Sequence, residues 1–162
     1  MLRFALVLPA AAAIAVALAA CSKEPERDHA SVDHSDRHAA HDPVYGGTLI
    51  ELGEHEAQAE LVFEAESGTL TLYLWDGHVS KPARCKQLSI AVEVDSEAEP
   101  VALELEPVAN PLTGETFGDT SKFETQSDTL KGRANLAGWL GGIHVLGRSF
   151  ERVRFAAGAQ AK

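Results

Sequence analysis

Apolar and polar residues alternate along most of the chain between residues 48 and 155. A period of two places successive side chains on opposite faces of an extended backbone, which is typical of β-strands with one buried face. Turn signals interrupt the alternation, and Asp76-Gly77 is the strongest of them. The pattern predicts strands at residues 48–52, 56–64, 69–75, 88–95, 101–105, 134–139, 143–146 and 150–155.

The apolar side of each predicted strand is expected to face a common core. The residues that we select as core positions are Leu61, Leu72, Ile90 and Leu103. The same alternation places Leu88 on the apolar side, and it places Glu60 and Trp75 on the opposite, solvent side. A slip of one residue would exchange the two faces of a strand, so the burial of these positions tests the assigned register.

The spacing of the strands indicates the fold class. Short strands follow one another closely, with no amphipathic helix of useful length between them, which predicts an all-β fold. We expect an antiparallel β-sandwich of the immunoglobulin-like kind, and a small β-barrel is the alternative. Cys85 is interpreted as a small packing residue at the start of a strand, with a thiolate metal ligand or an intermolecular bridge as alternatives.

Residues 106–131 interrupt the series of strands. Prolines and glycines break the alternation there. A loop of this length is uncommon without internal order, so we expect Phe117 and Phe123 to attach it to the core. Its end, Ser127–Lys131, fits one helical turn with Leu130 facing inward.

The N-terminal segment has the form of a secretory signal, in which Arg3 precedes an apolar run that ends at Ala20. Its last residues, Leu18-Ala19-Ala20-Cys21, resemble the bacterial lipobox, in which the cysteine is diacylated and begins the mature protein. The resemblance implies a lipid anchor on Cys21 and a place in the cell envelope, on the periplasmic side of the inner or outer membrane. A short transmembrane anchor is the alternative, although a span needs about 20 apolar residues.

The residues that follow the cysteine are mostly charged. Residues 22–43 contain one valine and no other large apolar residue, so they cannot bury enough apolar surface to offset the entropy of ordering. We therefore predict four segments. They are a lipoprotein signal peptide at 1–20, a His/Asp-rich disordered tether at 21–43, a β-sandwich domain at 44–156 and a tail at 157–162.

The tether holds four of the seven histidines of the chain, interleaved with four aspartates. Imidazole binds Zn, Cu, Ni and Co, and short His-rich tracts are metal candidates by composition. The spacing matches no structural zinc motif, so a plain solvated tether is the alternative. Because the segment would have to become ordered around an ion, its affinity is expected to fall short of that of a preformed site. The candidate ligands are His29, His34, His38 and His41.

The start of the strand region resembles a group of small exported bacterial domains. Its residues, His41-Asp42-Pro43-Val44-Tyr45-Gly46-Gly47, are similar to a His-x-Pro-x-His/Tyr-Gly-Gly opening. Similar openings occur near the start of some periplasmic adaptor proteins of heavy-metal efflux pumps. Residues 71–77 and 109–123 continue the resemblance to uncharacterised exported β-sandwich lipoproteins. The resemblance implies an exported β-sandwich found in metal-handling contexts, and the chain departs from it at Tyr45, where many relatives carry a second histidine.

A metal site at the domain entrance is a further expectation. His55 starts the second strand, and pairing of the first two strands would let His41 or Tyr45 approach it. Two such side chains and a carboxylate such as Glu51 or Glu54 suit a borderline divalent ion. The alternative is that His55 is an exposed polar residue at the start of a strand. The remaining histidines are interpreted as a loop-tip residue and a solvent-facing strand residue, His78 and His144.

The net charge and the absence of catalytic motifs argue against two classes of function, nucleic-acid binding and catalysis. The chain has 24 acidic and 14 basic residues, a net charge of −10. This balance argues against nucleic acid as a partner, because nucleic-acid-binding domains carry a basic footprint. The sequence has no nucleophile elbow and no phosphate-binding loop, so we do not expect an enzyme.

Two hypotheses of function remain. The first is a lipid-anchored envelope protein that binds a Cu, Zn, Ni or Co ion in connection with metal efflux or homeostasis, with a partner such as a metal efflux system. The second is a lipid-tethered protein-interaction module without a metal role, which docks through an edge of the sandwich or through the loop at 106–123. Loops carry binding more often than sheets do.

Overall fold

A computed structural model describes residues 41–160. The predicted signal peptide, the lipid attachment site Cys21 and the tether histidines before His41 lie outside the described residues. In the described part, ten β-strands and one short 3-10 helix account for the regular structure, so the predicted all-β fold is confirmed. The strands are β1 Thr48–Leu52, β2 Ala57–Glu64, β3 Thr69–Asp76, β4 Ile90–Val94, β5 Val101–Pro107, β6 Lys122–Gln126, β7 Asn135–Leu140, β8 Ile143–Val145, β9 Arg148–Phe150 and β10 Val153–Gly158.

Eight of the strands form one continuous antiparallel sheet in the order β1-β2-β3-β6-β5-β4-β7-β10, and β8 pairs with β9 in a separate hairpin. Strand β5 joins the two halves of the sheet, since it pairs with β4 along most of its length and with β6 at its end. The last strand returns towards the first ones: Ala159 bridges Phe63, and the amide of Gln160 donates to the Phe63 carbonyl at 2.9 Å. The sheet is therefore nearly barrel-shaped, and it fits a small barrel as well as a sandwich.

The core lies on the inner face of this curved sheet. Leu61, Leu72 and Ile90 are buried as predicted, whereas Leu103 is half-buried and packs against the core from its edge. Leu88 is 77% exposed, so its predicted inward orientation is wrong. Strand β4 begins only at Ile90, so Leu88 precedes it. The alternation of side chains between two faces holds only within a strand, and it does not predict the orientation of Leu88.

The outer face of β2 and β3 is also covered, which contradicts the predicted solvent exposure. Glu60 on β2 is fully buried, and Trp75 on β3 is buried too. The cover is residues 41–47, which we call the N-terminal hook. Its backbone amides donate to the Glu60 carboxylate, and its Tyr45 ring stacks on Tyr73. Buried charged residues are rare unless they are paired or hydrogen-bonded, and the hook supplies these bonds.

The long loop between β5 and β6 is ordered by a carboxylate. Glu115 is buried and accepts from the amide and the hydroxyl of Ser121, at 2.8 and 2.6 Å. Burial acts to raise the pKa of Glu115, but hydrogen bonds from Ser121 and Thr113 outweigh it and hold the pKa below its usual value. Phe123 is buried in β6 as expected, whereas Phe117 is 68% exposed. Phe117 therefore does not attach the loop to the core. Glu115 orders the loop internally, and backbone bonds from the Leu74 and Cys85 amides to the carbonyls of Ser121 and Thr120 join its end to the rest of the domain.

Two further sequence expectations concern the chain after this loop. The predicted helical turn is confirmed as a 3-10 helix over Asp128–Leu130, with Ser127 as its N-cap and Leu130 buried. Strand β10 continues to Gly158, two residues beyond the domain end expected at Ala156. Within residues 41–160 no helix is both long enough and apolar enough to cross a membrane.

Candidate metal-binding site

Three histidines meet at one end of the β1–β3 part of the sheet. His55 lies in the turn between β1 and β2, and His78 follows the end of β3. Because β2 and β3 are antiparallel and Ala57 pairs with Asp76, the start of β2 and the end of β3 lie side by side. His41 reaches the same place from the N-terminal hook. We call His41, His55 and His78 the histidine cluster.

The His41 ring lies beside the rings of both other histidines. The ring centroid of His41 lies 5.8 Å from that of His78 and 6.5 Å from that of His55, and both pairs meet edge to face. A zinc–nitrogen bond of about 2.0–2.1 Å and a tetrahedral angle would put two imidazole centroids about 5 Å apart. Within residues 41–160 no three donor side chains already stand at ligand positions. Binding therefore requires the His41 ring to approach the His78 ring by about 1 Å and the His55 ring by about 1.5 Å, with the ring nitrogens turned towards the ion.

The close contact between two turns sets the positions of His55 and His78. Gly77 lies so near the His55 carbonyl that a Cβ at this position would overlap the carbonyl oxygen. His55 itself adopts a left-handed backbone conformation with φ of 58°, which is uncommon for a residue other than glycine. The tight β2–β3 packing at Gly77 is thus what brings the next residue, His78, beside the turn that carries His55.

The Asp76 carboxylate holds the second of these turns in shape. It accepts hydrogen bonds from the Ser80 amide at 2.7 Å, the Ser80 hydroxyl at 2.6 Å and the Lys81 amide at 3.3 Å. Partial burial acts to raise the pKa of Asp76, but these hydrogen bonds outweigh it and hold the pKa below its usual value. Asp76 therefore stays ionised at neutral pH and keeps the turn closed around His78.

A carboxylate stands at the edge of the cluster. Glu51 Oε1 accepts from the His55 amide at 2.9 Å and lies 3.4 Å from His55 Nδ1. A carboxylate beside an imidazole can orient the ring and make it a stronger donor, or it can supply an oxygen ligand itself. Glu51 was one of the two carboxylates considered from the sequence, and the structure places it beside His55.

The hook that carries His41 is bound to the sheet at several points. The Glu60 carboxylate accepts from the amides of Val44, Tyr45 and Gly47, at 3.1, 2.7 and 3.0 Å. The Tyr45 ring stacks on Tyr73 at a centroid distance of 4.0 Å. The Tyr45 carbonyl also accepts from Gln160 Nε2 at 3.1 Å. His41 is thus presented by a segment with defined anchors.

The sequence located part of this arrangement. It placed His41 near His55, and their rings are neighbours. It interpreted His78 as a loop-tip residue and missed its contact with His41. The length of the β2–β3 hairpin could have predicted this contact, because the pairing of Ala57 with Asp76 places residue 78 beside residue 55. Tyr45 was considered as a partner of His55, but its ring contacts in the structure are with Tyr73 and Trp75.

Two other residues considered from the sequence have structural explanations. His144 is exposed on β8, with its Nδ1 2.7 Å from the Ser149 hydroxyl. Cys85 is a buried free thiol, and burial raises its pKa. A neutral buried thiol is a poor metal ligand, because the thiolate is the form that binds metals. This favours the interpretation of Cys85 as a packing residue.

An open groove of about 530 Å³ lies elsewhere, on the outer face of β4, β5 and β7. Its aromatic residue is Trp139, and the guanidinium groups of Arg152 and Arg154 lie 4.6 and 5.3 Å from the Trp139 ring. Arg152 is in turn bonded to Glu93 at 2.6 Å. The groove thus contains an aromatic surface already covered by the protein's own cations.

Comparison of the chain with protein-family models, with curated protein sequences and with solved structures gives no match.

Proposed function

We propose that this protein is a lipid-anchored cell-envelope protein whose β-domain binds a divalent transition-metal ion, in connection with metal efflux or homeostasis. The observation that carries the proposal is the convergence of three histidines, His41, His55 and His78, from three separate segments of the chain. Neighbouring imidazoles are the donors that Zn, Cu, Ni and Co share.

The donor set favours reversible binding over a structural role. Structural zinc sites are closed by four protein ligands and usually include cysteine. The histidine cluster offers three imidazoles, with the Glu51 carboxylate beside one of them, and it lies at the surface. Water or another protein's ligand would complete the coordination, so the ion remains exchangeable. Exchangeable binding is what a protein that passes metal ions to a partner requires.

The predicted tether adds to this proposal from sequence alone. It carries His29, His34 and His38 ahead of His41 in the chain. Weak ligands linked through the chain to a stronger site raise the local concentration of an ion near it. The acidic excess of the chain, with a net charge of −10, also favours accumulation of cations.

The experiment is a calorimetric titration of the full-length protein with Cu(II), Ni(II), Zn(II) and Co(II) at pH 7.5 and 5.5. A variant with His41, His55 and His78 changed to alanine should lose the tightest binding step. His144→Ala removes an exposed histidine outside the cluster and should bind as the wild type does. Binding should weaken at pH 5.5, because protons compete with the ion for imidazole nitrogens. Equal binding by the triple variant and the wild type would contradict a metal site at the cluster.

The tether is tested together with His41 by changing His29, His34, His38 and His41 to alanine. We expect this variant to lose the weaker binding steps of the tether, together with the His41 contribution to the cluster. If it binds as the wild type does, the tether serves only as a spacer and His41 is not a ligand.

A second candidate function is protein docking through the loop between β5 and β6. The observation that favours it is that Leu112 is 97% exposed and Phe117 68% exposed in a loop that Glu115 holds in a defined shape. Exposed apolar residues that form one patch are typical of contact surfaces, and Leu112 and Phe117 lie five residues apart in this loop. Changing Leu112 and Phe117 to serine should then abolish crosslinking to a partner in intact envelopes, while the triple histidine variant retains it. Crosslinking that survives the serine changes would exclude this loop as the docking surface.

A further inference from the structure

The N-terminal hook is held to the sheet by one buried carboxylate. Glu60 is fully buried, and both of its carboxylate oxygens accept hydrogen bonds from backbone amides of the hook. Oε2 accepts from Val44, and Oε1 accepts from Tyr45 and Gly47. These donors lie 13–16 residues earlier in the chain, so the bonds form only when the hook lies on the sheet.

Apolar burial contributes only part of the stability of this docking. The two large apolar side chains of the hook, Val44 and Tyr45, remain 52% and 50% exposed. Hydrogen bonds to an ionised group are stronger than those between neutral groups, and a buried carboxylate without them would be strongly unfavourable. The three bonds to Glu60 therefore fix the hook, together with the stack of Tyr45 on Tyr73 and the bond from Gln160 to the Tyr45 carbonyl.

We propose that Glu60 is the positioning residue of the metal site: by docking the hook it delivers His41 to His55 and His78, so that metal binding and hook docking are coupled. This inference rests on the proposed metal-binding function. Glu60 does not touch the ion in this scheme. It acts through the backbone of the segment that carries the third ligand.

The coupling has a defined thermodynamic form. If only a fraction of molecules has the hook docked, the apparent dissociation constant equals the intrinsic one divided by that fraction. By reciprocity, an ion that binds through His41 stabilises the docked hook by the same factor. The ion would thus fix the point at which the preceding chain leaves the domain.

The test combines metal titration with amide exchange on the full-length protein. In metal-free wild type, the amides of Val44, Tyr45 and Gly47 should exchange slowly, and Zn(II) should slow them further. Glu60→Gln removes the charge and turns one of the two acceptor oxygens into a donor. At least one amide bond of the hook is then lost and the others are made to a neutral oxygen, so the three amides should exchange faster than in the wild type. Its affinity for Zn(II) should fall about 10- to 100-fold, as is usual when a residue that supports a ligand is changed. Glu64→Gln, which removes an equal charge from an exposed site on the same strand, is the matched control and should leave both quantities unchanged.

A double-mutant cycle separates positioning from a general effect of charge. In a His41→Ala background, Glu60→Gln should cause no further loss of affinity, because the ligand that Glu60 positions is already absent. Additive losses would overturn the proposal. Unchanged amide exchange in Glu60→Gln would overturn it as well.

Two outcomes distinguish this inference from the function on which it rests. If the wild type binds no ion, or if His55→Ala and His78→Ala bind as it does, the metal site itself is refuted. If binding needs His55 and His78 but Glu60→Gln binds as tightly as the wild type with an undocked hook, only the positioning role fails. Should Glu60→Gln not fold, Tyr45→Ala replaces it, since Tyr45 is half-exposed. Faster exchange with unchanged affinity in Tyr45→Ala would again overturn the coupling.

Discussion

Replacing Gly77 by alanine should separate the two turns that carry His55 and His78. A Cβ at residue 77 would lie well inside the 3.0 Å that real Cβ atoms keep from other heavy atoms, and the group that it meets is the His55 carbonyl. Backbone on both sides cannot rotate away as a flexible side chain does. The turn that carries His55 must therefore retreat by about 1 Å, and overpacking of this kind costs about 1–3 kcal/mol.

Thermal unfolding of the metal-free protein measures this cost. For a domain of this size 1 kcal/mol corresponds to about 4 °C in Tm, so Gly77→Ala should lower Tm by about 4–12 °C. Gly118→Ala is the matched control, because an added Cβ there meets nothing within 4 Å. It should be within about 0.5 kcal/mol of the wild type.

Metal titration of the same two variants links the packing to the site. Displacement of the His55 turn should weaken Zn(II) binding by Gly77→Ala about 10-fold or more, in line with the loss of a supporting contact at a metal site. Gly118→Ala should bind as the wild type does. If Gly77→Ala is as stable as Gly118→Ala, the two turns do not pack as described, and the argument that Gly77 positions His78 is refuted.

Three further predictions concern the core, the β5–β6 loop and the N-terminus. Truncation to alanine of any of the buried residues Leu61, Leu72 and Ile90 should lower the free energy of unfolding in urea by about 2–5 kcal/mol. Leu103→Ala should cost less, because Leu103 is half-buried. Losses below about 0.5 kcal/mol at all of the buried positions would mean that the strand register is wrong. The pKa of Glu115 is depressed in the folded protein, so its contribution to stability is present above its usual pKa of 4.5 and is lost as the pH falls through the lower folded value. Glu115→Gln should therefore be less stable than the wild type at pH 7, with a difference that shrinks towards pH 3 in denaturation curves; a constant difference would contradict this role. Cys21→Ser should lose acylation and membrane retention, measured by mass spectrometry and detergent partitioning, and unchanged partitioning would exclude Cys21 as the lipid site.

The sequence alone determined the features that depend on neighbouring residues. The period-two alternation located most of the strands, and turn signals such as Asp76-Gly77 separated them, because both reflect the conformation of a few consecutive residues. The burial of Leu61 and Leu72 followed from the same pattern. The capped turn before Leu130 was also predicted, since a cap and the residue it serves lie within one turn of each other.

Only the tertiary structure decided that β2 and β3 are covered on both faces, by the core on one side and by the N-terminal hook on the other. The alternation assigned Glu60 to solvent, because a charged residue on the polar side of a strand is normally exposed. The hook covers that face and satisfies the carboxylate with amides from a distant part of the chain. The same limit applies to His78, which lies near His55 only through the register of β2 and β3. Local patterns record which side of a strand is apolar, whereas the positions of a distant segment and of two separate turns depend on how the whole sheet curves and pairs.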